Sequence, residues 1–203
     1  MPPTEVVLFD LGGVLIRLSG LDAWKEMSGQ TDDDEIWHRW LHCSVVQNFE
    51  RGNSSVDDFV SDMIKKYDLS LGPEDFLKAF INWPDGLFDG AVEVVNDVAD
   101  HVRLGCFSNT NYVHWETQHH EIQKMFDVNF LSFKMGHVKP DADAFEYVID
   151  QLGCDPEAIL FLDDNIINVE AARVCGINAH VALKPEGARR VLNDHKLLKY
   201  TNY

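Results

Sequence analysis

Residues 6–15 read VVLFDLGGVL. Val6, Val7, Leu8 and Phe9 are strand-forming and apolar without alternation, the pattern of a strand covered on both faces and so of a parallel sheet packed between helices. The run ends on one carboxylate, Asp10, and two residues later on a pair of glycines, Gly12 and Gly13. A charge at the tip of a buried strand is costly unless it is paired or used. Open parallel sheets bind their ligands outside the carboxyl ends of the strands, which is where Asp10 falls.

Further along, VRLGCF (102–107), VNFLSF (128–133), AILFLD (158–163) and INAHVAL (177–183) repeat the short apolar pattern. Helical periods lie between them. Val92, Val95, Val98 and Ala99 share one stripe, and Phe145, Val148, Ile149 and Leu152 another that stops at Gly153 in a C-capping position. Strand alternating with helix predicts an α/β fold, a Rossmann-like parallel sheet flanked by helices. Residues 17–86 break the alternation. Helix starts are expected at Thr31, at Ser54 or Ser55, and at Pro73, so helix follows helix. This is read as a helical cap inserted at the functional end of the first strand.

The chain has 203 residues, 45% hydrophobic, enough for one core domain with an insertion. Its 34 acidic and 17 basic residues leave a net charge of −17, which excludes nucleic acid and anionic membrane surfaces as natural partners. Cysteines 43, 106, 154 and 175 form no CxxC motif, and residues 1–7 hold no secretory signal. A reduced, cytoplasmic protein, monomer or homodimer, is expected.

Other strand ends also carry reactive groups. FSNTN supplies Ser108 and Asn109, FLDDN supplies Asp163 and Asp164, and GHVKPDADAF places Lys139 before Pro140, read as a helix start. A carboxylate nucleophile can accept a phosphoryl group and split one hard step into two, with Asp10 as the candidate. Asp10 and Asp164 would repel one another without a cation, and an all-oxygen set suits Mg²⁺. Ser108, nearby backbone N–H groups and Lys139 would hold the remaining phosphate oxygens.

In their order along the chain these motifs resemble those of the haloacid dehalogenase superfamily: FDLGGVL the first, FSNTN the second, Lys139 the third and FLDDNIINVEAA the fourth. The chain is most similar to the subgroup of α-D-glucose-1-phosphate phosphatases and epoxide hydrolase N-terminal phosphatase domains, whose helical cap NFERGNSSVDDF resembles. The resemblance implies a core of residues 1–16 and 87–203, a cap of residues 17–86, and Mg²⁺-dependent hydrolysis of a small phosphorylated metabolite, such as a sugar 1-phosphate. Asp10 would be the nucleophile and a metal ligand, joined by Asp164 and the Gly12 carbonyl. Asp163 and Asn168 would support the metal, Lys139 would bridge phosphate and nucleophile, and Gly12, Gly13, Ser108 and Asn109 would contact phosphate or substrate. Superfamily phosphatases carry a second aspartate where this chain has Gly12. Either an active phosphatase works without it, or the site binds metal and phosphate as a sensor or interaction module.

A receiver domain combines similar groups, but its acidic pair precedes its acceptor, the reverse of the order here. His114, His119 and His120 lack the i, i+4 spacing of a helical metal pair. Trp24, Trp37, Trp40 and Trp83 are expected to fill the core of the insertion, with one of them facing a ligand. Arg17 and Arg51 sit near the cap hinge or surface.

Overall fold

A computed structural model describes residues 2–118 and 122–199. In chain order the elements are β1 (Val6–Phe9), β2 (Ile16–Leu18), α1 (Gly20–Ser28), α2 (Asp33–Leu41), α3 (Ser44–Glu50), α4 (Val56–Tyr67), α5 (Pro73–Ile81), β3 (Pro84–Leu87) and α6 (Ala91–Asn96). They continue with β4 (Arg103–Ser108), α7 (Tyr112–Gln118), β5 (Val128–Leu131), α8 (Ser132–Met135), α9 (Ala142–Leu152), β6 (Ile159–Asp163), α10 (Ile166–Val174), β7 (Asn178–Val181) and α11 (Lys184–Asp194).

Five strands form one parallel sheet in the order β5-β4-β1-β6-β7. The central strand has no solvent face. Val7 and Phe9 pack with Leu160, Leu162, Val94, Val95 and Leu192 on one side, and Val6 and Leu8 with Phe107, Phe161, Phe145, Val148 and Val169 on the other. Phe9 lies level with Cys106 of β4 and Leu162 of β6. That register sets Asp10 level with Phe107 and Asp163, one residue short of Ser108 at the end of β4.

Helices α1–α5 lie between β2 and β3, a short antiparallel pair. Neither strand is legible in the sequence: PDGL contains two strand breakers and is assembled by tertiary pairing. The helices bury a cluster of their own, including Trp24, Phe49, Phe59, Met63, Phe76, Phe80 and Trp83, which Val113 of α7 joins. Ser55 caps α4 and Pro73 opens α5, as expected. Asp32, not Thr31, caps α2, its carboxylate accepting the Glu35 N–H, since only at that position does the side chain reach the open turn.

Three other expectations are corrected. Helix α6 ends at Asn96; Val92 is exposed, Val94 takes its place in the core, and Val98 pairs with Leu198 instead of extending the helix. The segment 128–133 leaves the sheet after Leu131, because the Ser132 hydroxyl accepts the Thr110 N–H and donates to the Thr110 carbonyl. Pro140 follows a cis peptide bond and precedes α9, which starts at Ala142 with Asp141 as N-cap. Gly153 ends α9 with φ of 67°. All four cysteines are free. Among the described residues, no helix is long and apolar enough to cross a membrane.

Candidate active site

Asp10 stands one residue beyond β1, locked by donation of its N–H to the Leu162 carbonyl at 2.8 Å. Lys139 arrives from the loop between α8 and α9. Its ammonium donates to Asp10 Oδ1 at 2.9 Å, Asp163 Oδ2 at 2.7 Å and the Phe107 carbonyl at 2.8 Å, which uses all three protons. It also sits over the rings of Phe107 and Phe161. Its backbone is clasped by Asn109, whose amide accepts the Lys139 N–H and donates to the Lys139 carbonyl, each at 2.8 Å. The side chain of Asn109, expected on phosphate or substrate, thus also positions Lys139. The Ser108 hydroxyl makes only a long 3.4 Å contact with the Asn109 carbonyl and remains available to a ligand.

Asp163 is fully buried and saturated. Beyond Lys139 it accepts the Asn168 amide on both oxygens at 3.1 Å and the Asn165 N–H at 2.8 Å. Asp164, the next residue, points toward the turn after β1. A Cβ on Gly13 would stand 2.1 Å from Asp164 Oδ2, and φ there is +71°, so only glycine lets the carboxylate lie against the backbone.

One ligand oxygen each from Asp10, Asp163 and Asp164 fall within 4.8 Å of one another. Three carboxylates face one ammonium, an excess of two negative charges. Burial pushes the Asp10 carboxyl up to about 7, with Asp163 and Asp164 adding to the rise and Lys139 opposing it. Burial, then Asp163, lifts Asp164 to about 6. For Lys139, burial pulls downward, but Asp10 and Asp163 outweigh it and hold the ammonium above its usual range. The pocket thus holds one cation and wants two more charges. Oxygen-only donors of this density fit a hard divalent ion such as Mg²⁺.

Position 12 offers no side chain. A Cβ there would approach Leu18 Cδ1 to 3.1 Å, the end of a half-exposed side chain. The residue two after Asp10 therefore supplies backbone only.

Other groups here were not legible in the motifs. Buried Thr110 and Ser132 hold the loop after β4. The Asn111 amide donates to Nδ1 of His114, whose Nε2–H donates to the Phe80 carbonyl at 2.8 Å, tying α7 to α5. His114 is thus a structural link, while His119 and His120 lie outside the described residues. Trp24 and Trp83 are buried and, with Trp37 and Trp40, line a crevice within the helical segment. Arg17 stays at the β2–β3 pair, bound to Asp85 and the Leu87 carbonyl. Arg51 crosses from α3 to Asp141 at 2.5 Å.

A family model of haloacid dehalogenase-like hydrolases matches residues 4–176, and the chain belongs to that family. It is 22% identical over 181 residues to D-ribitol-5-phosphate phosphatase of Bacteroides thetaiotaomicron, 84% of this chain and 87% of that protein. It is also 24% identical over 198 residues to drimenol cyclase drtB of Aspergillus calidoustus, where it covers 94% of itself and spans 36% of the cyclase. Among solved structures, a HAD family enzyme of Bacteroides thetaiotaomicron in complex with magnesium and inorganic phosphate matches with a TM-score of 0.71 at 21% identity, over 88% of this chain and 94% of that one. That likeness establishes the fold.

Proposed function

We propose that this chain is a Mg²⁺-dependent phosphatase acting on a small phosphorylated metabolite through an aspartyl phosphate on Asp10. The observation that carries it is the charge imbalance of the pocket: three carboxylates and one ammonium at the ends of β1 and β6. The name of one relative, D-ribitol-5-phosphate phosphatase, agrees with it. Asp10, Asp164 and the Gly12 carbonyl would hold the metal, with Asp163 and Asn168 behind them. Bound there, Mg²⁺ would neutralise the carboxylates and the incoming phosphate.

Asp10 Oδ1 is engaged by Lys139 and Oδ2 is left to attack phosphorus. The bond from phosphorus to the leaving oxygen breaks as the Asp10 acyl phosphate forms, and water then releases inorganic phosphate and returns the carboxylate. Lys139 stays charged throughout and steadies both Asp10 and the phosphate oxygens; Ser108 and the backbone of residues 12–13 receive the others. Residues 1–16 with 87–203 form the core in this reading, and residues 17–86 the cap that shields the acyl phosphate from stray water. A sugar phosphate is the favoured substrate class. A sugar 1-phosphate suits a site whose position 12 brings no acid, because its anomeric oxygen leaves more readily than an ordinary alkoxide.

Hydrolysis of p-nitrophenyl phosphate with Mg²⁺ tests this. Turnover should vanish with EDTA and in Asp10→Asn. A wild-type protein that binds Mg²⁺ and phosphate yet leaves this ester intact would instead be a binding module.

A further inference from the structure

We propose that Glu50, on the helical segment, is the proton donor and acceptor of this site, in the place of the side chain that Gly12 lacks. The inference rests on the phosphatase reading of Asp10 and deepens it.

Glu50 is the last residue of α3, and its neighbours on both sides grip the core. Phe49 meets the ring of Tyr112, just beyond the loop that follows Ser108, at 5.8 Å. Arg51 pairs with Asp141, two residues past Lys139, at 2.5 Å. Gly52, at φ +72°, lies so close to Phe133 that a Cβ would stand 2.5 Å from its carbonyl oxygen. These contacts hold the end of α3, and Glu50 with it, over the carboxyl ends of the strands, beside the loops that carry Ser108 and Lys139.

The carboxyl group is half-buried and, among the described residues, has no hydrogen bond or ion pair of its own. Structural carboxylates at such interfaces normally have a partner. Its environment also suits proton transfer. Burial raises it to about 7, against the lowering pull of Lys139 from the core and Arg51 beside it, the latter already engaged by Asp141. A donor near neutrality is what general acid–base work requires.

In the first step Asp10 Oδ2 attacks phosphorus, the bond to the leaving oxygen breaks, and that oxygen takes the Glu50 proton and departs as an alcohol. In the second, water attacks the phosphorus of the acyl phosphate and gives its proton to the Glu50 carboxylate. The bond between phosphorus and Asp10 breaks, and inorganic phosphate leaves. Both residues end as they began.

Two esters of similar shape separate the step from its surroundings. The phenolate leaving phenyl phosphate is far more basic than that leaving p-nitrophenyl phosphate, so only the former needs a proton. Glu50→Gln should lower kcat/KM on phenyl phosphate by about 10²-fold or more and on p-nitrophenyl phosphate far less. Glu50→Asp should restore part of the loss. Equal loss on both esters, or none, overturns the role of Glu50. Should Glu50→Gln not fold, the wild-type protein still decides: above pH about 7, kcat/KM on phenyl phosphate should fall relative to p-nitrophenyl phosphate, and parallel profiles overturn the proposal. If instead the wild type hydrolyses neither ester, or Asp10→Asn remains active, the phosphatase reading itself fails and Glu50 falls with it.

Discussion

Asp10 and Lys139 form a pair that neither residue's neighbours explain. The ammonium is shared between two carboxylates, and a third, Asp164, has only the Gly13 backbone beside it. Without metal, burial, with the repulsion among the carboxylates adding to it, lifts the Asp10 and Asp164 carboxyls to about 7 and about 6. Both values exceed those of an unfolded carboxyl, so the folded chain binds these protons more tightly than the unfolded one. The stability they contribute is present in acid and is lost as pH rises from about 4 to about 7. Mg²⁺ reverses the balance by favouring the carboxylates. Calorimetric titration with Mg²⁺ near pH 6.5, in buffers of different ionisation enthalpy, should therefore show proton release, and affinity should climb with pH until Asp10 has ionised. Binding without proton release would mean that the ion sits elsewhere.

Between elements, the joint of the helical segment with the core deserves most weight. Strands β2 and β3 carry the chain across, and three links close it from the far side: Arg51 with Asp141, Gly52 with Phe133, and His114 with the Phe80 carbonyl. Within the segment, aromatic packing does the holding. Phe59 is buried, stacks on Phe49 at 4.2 Å and meets Phe80 at 5.0 Å. Phe59→Ala removes a ring from Phe49, Phe80 and Phe76 and should cost about 3–5 kcal/mol, read by urea unfolding. Because Phe49 adjoins Glu50, activity on phenyl phosphate should drop in the same variant before global unfolding is reached. A variant of full stability would show that the segment can collapse around the gap.

Seen entire, the molecule is an acidic body of net charge −17 whose proposed ligand is an anion. Within the site, attraction comes from Lys139 and from whatever cation the carboxylates hold, while the net charge opposes approach. Raising ionic strength from about 20 to about 200 mM shortens the screening length from about 20 to about 7 Å. Repulsion is weakened while contacts inside the pocket are not. The kcat/KM for a phosphate ester should accordingly hold steady or rise with salt at fixed Mg²⁺. A steep fall would reveal a positive steering surface that outweighs the net charge.

Much of this was legible before any coordinates. VVLFD and FLD end on carboxylates, and unalternating apolar runs between helical periods suit covered strands, so the α/β class followed from local pattern, while the grouping of Asp10, Ser108, Lys139, Asp163 and Asp164 was an expectation from strand ends, chain order and the family resemblance. Val92 misled because a six-residue helix turns its stripe too briefly for periodicity to register. The β2–β3 pair was hidden because PDGL becomes a strand only when Ile16–Leu18 lies against it. Asn109, expected as a ligand contact, also clasps the backbone of a lysine thirty residues away, a pairing no local pattern announces. Glu50 carries no motif signal of its own in NFERG. Chemical type and order are written in short-range pattern, because burial on two faces and capping are local demands. Which group faces which is settled by the register of parallel strands and the seating of α3 on the core, contacts between distant residues whose energy no window of the chain contains.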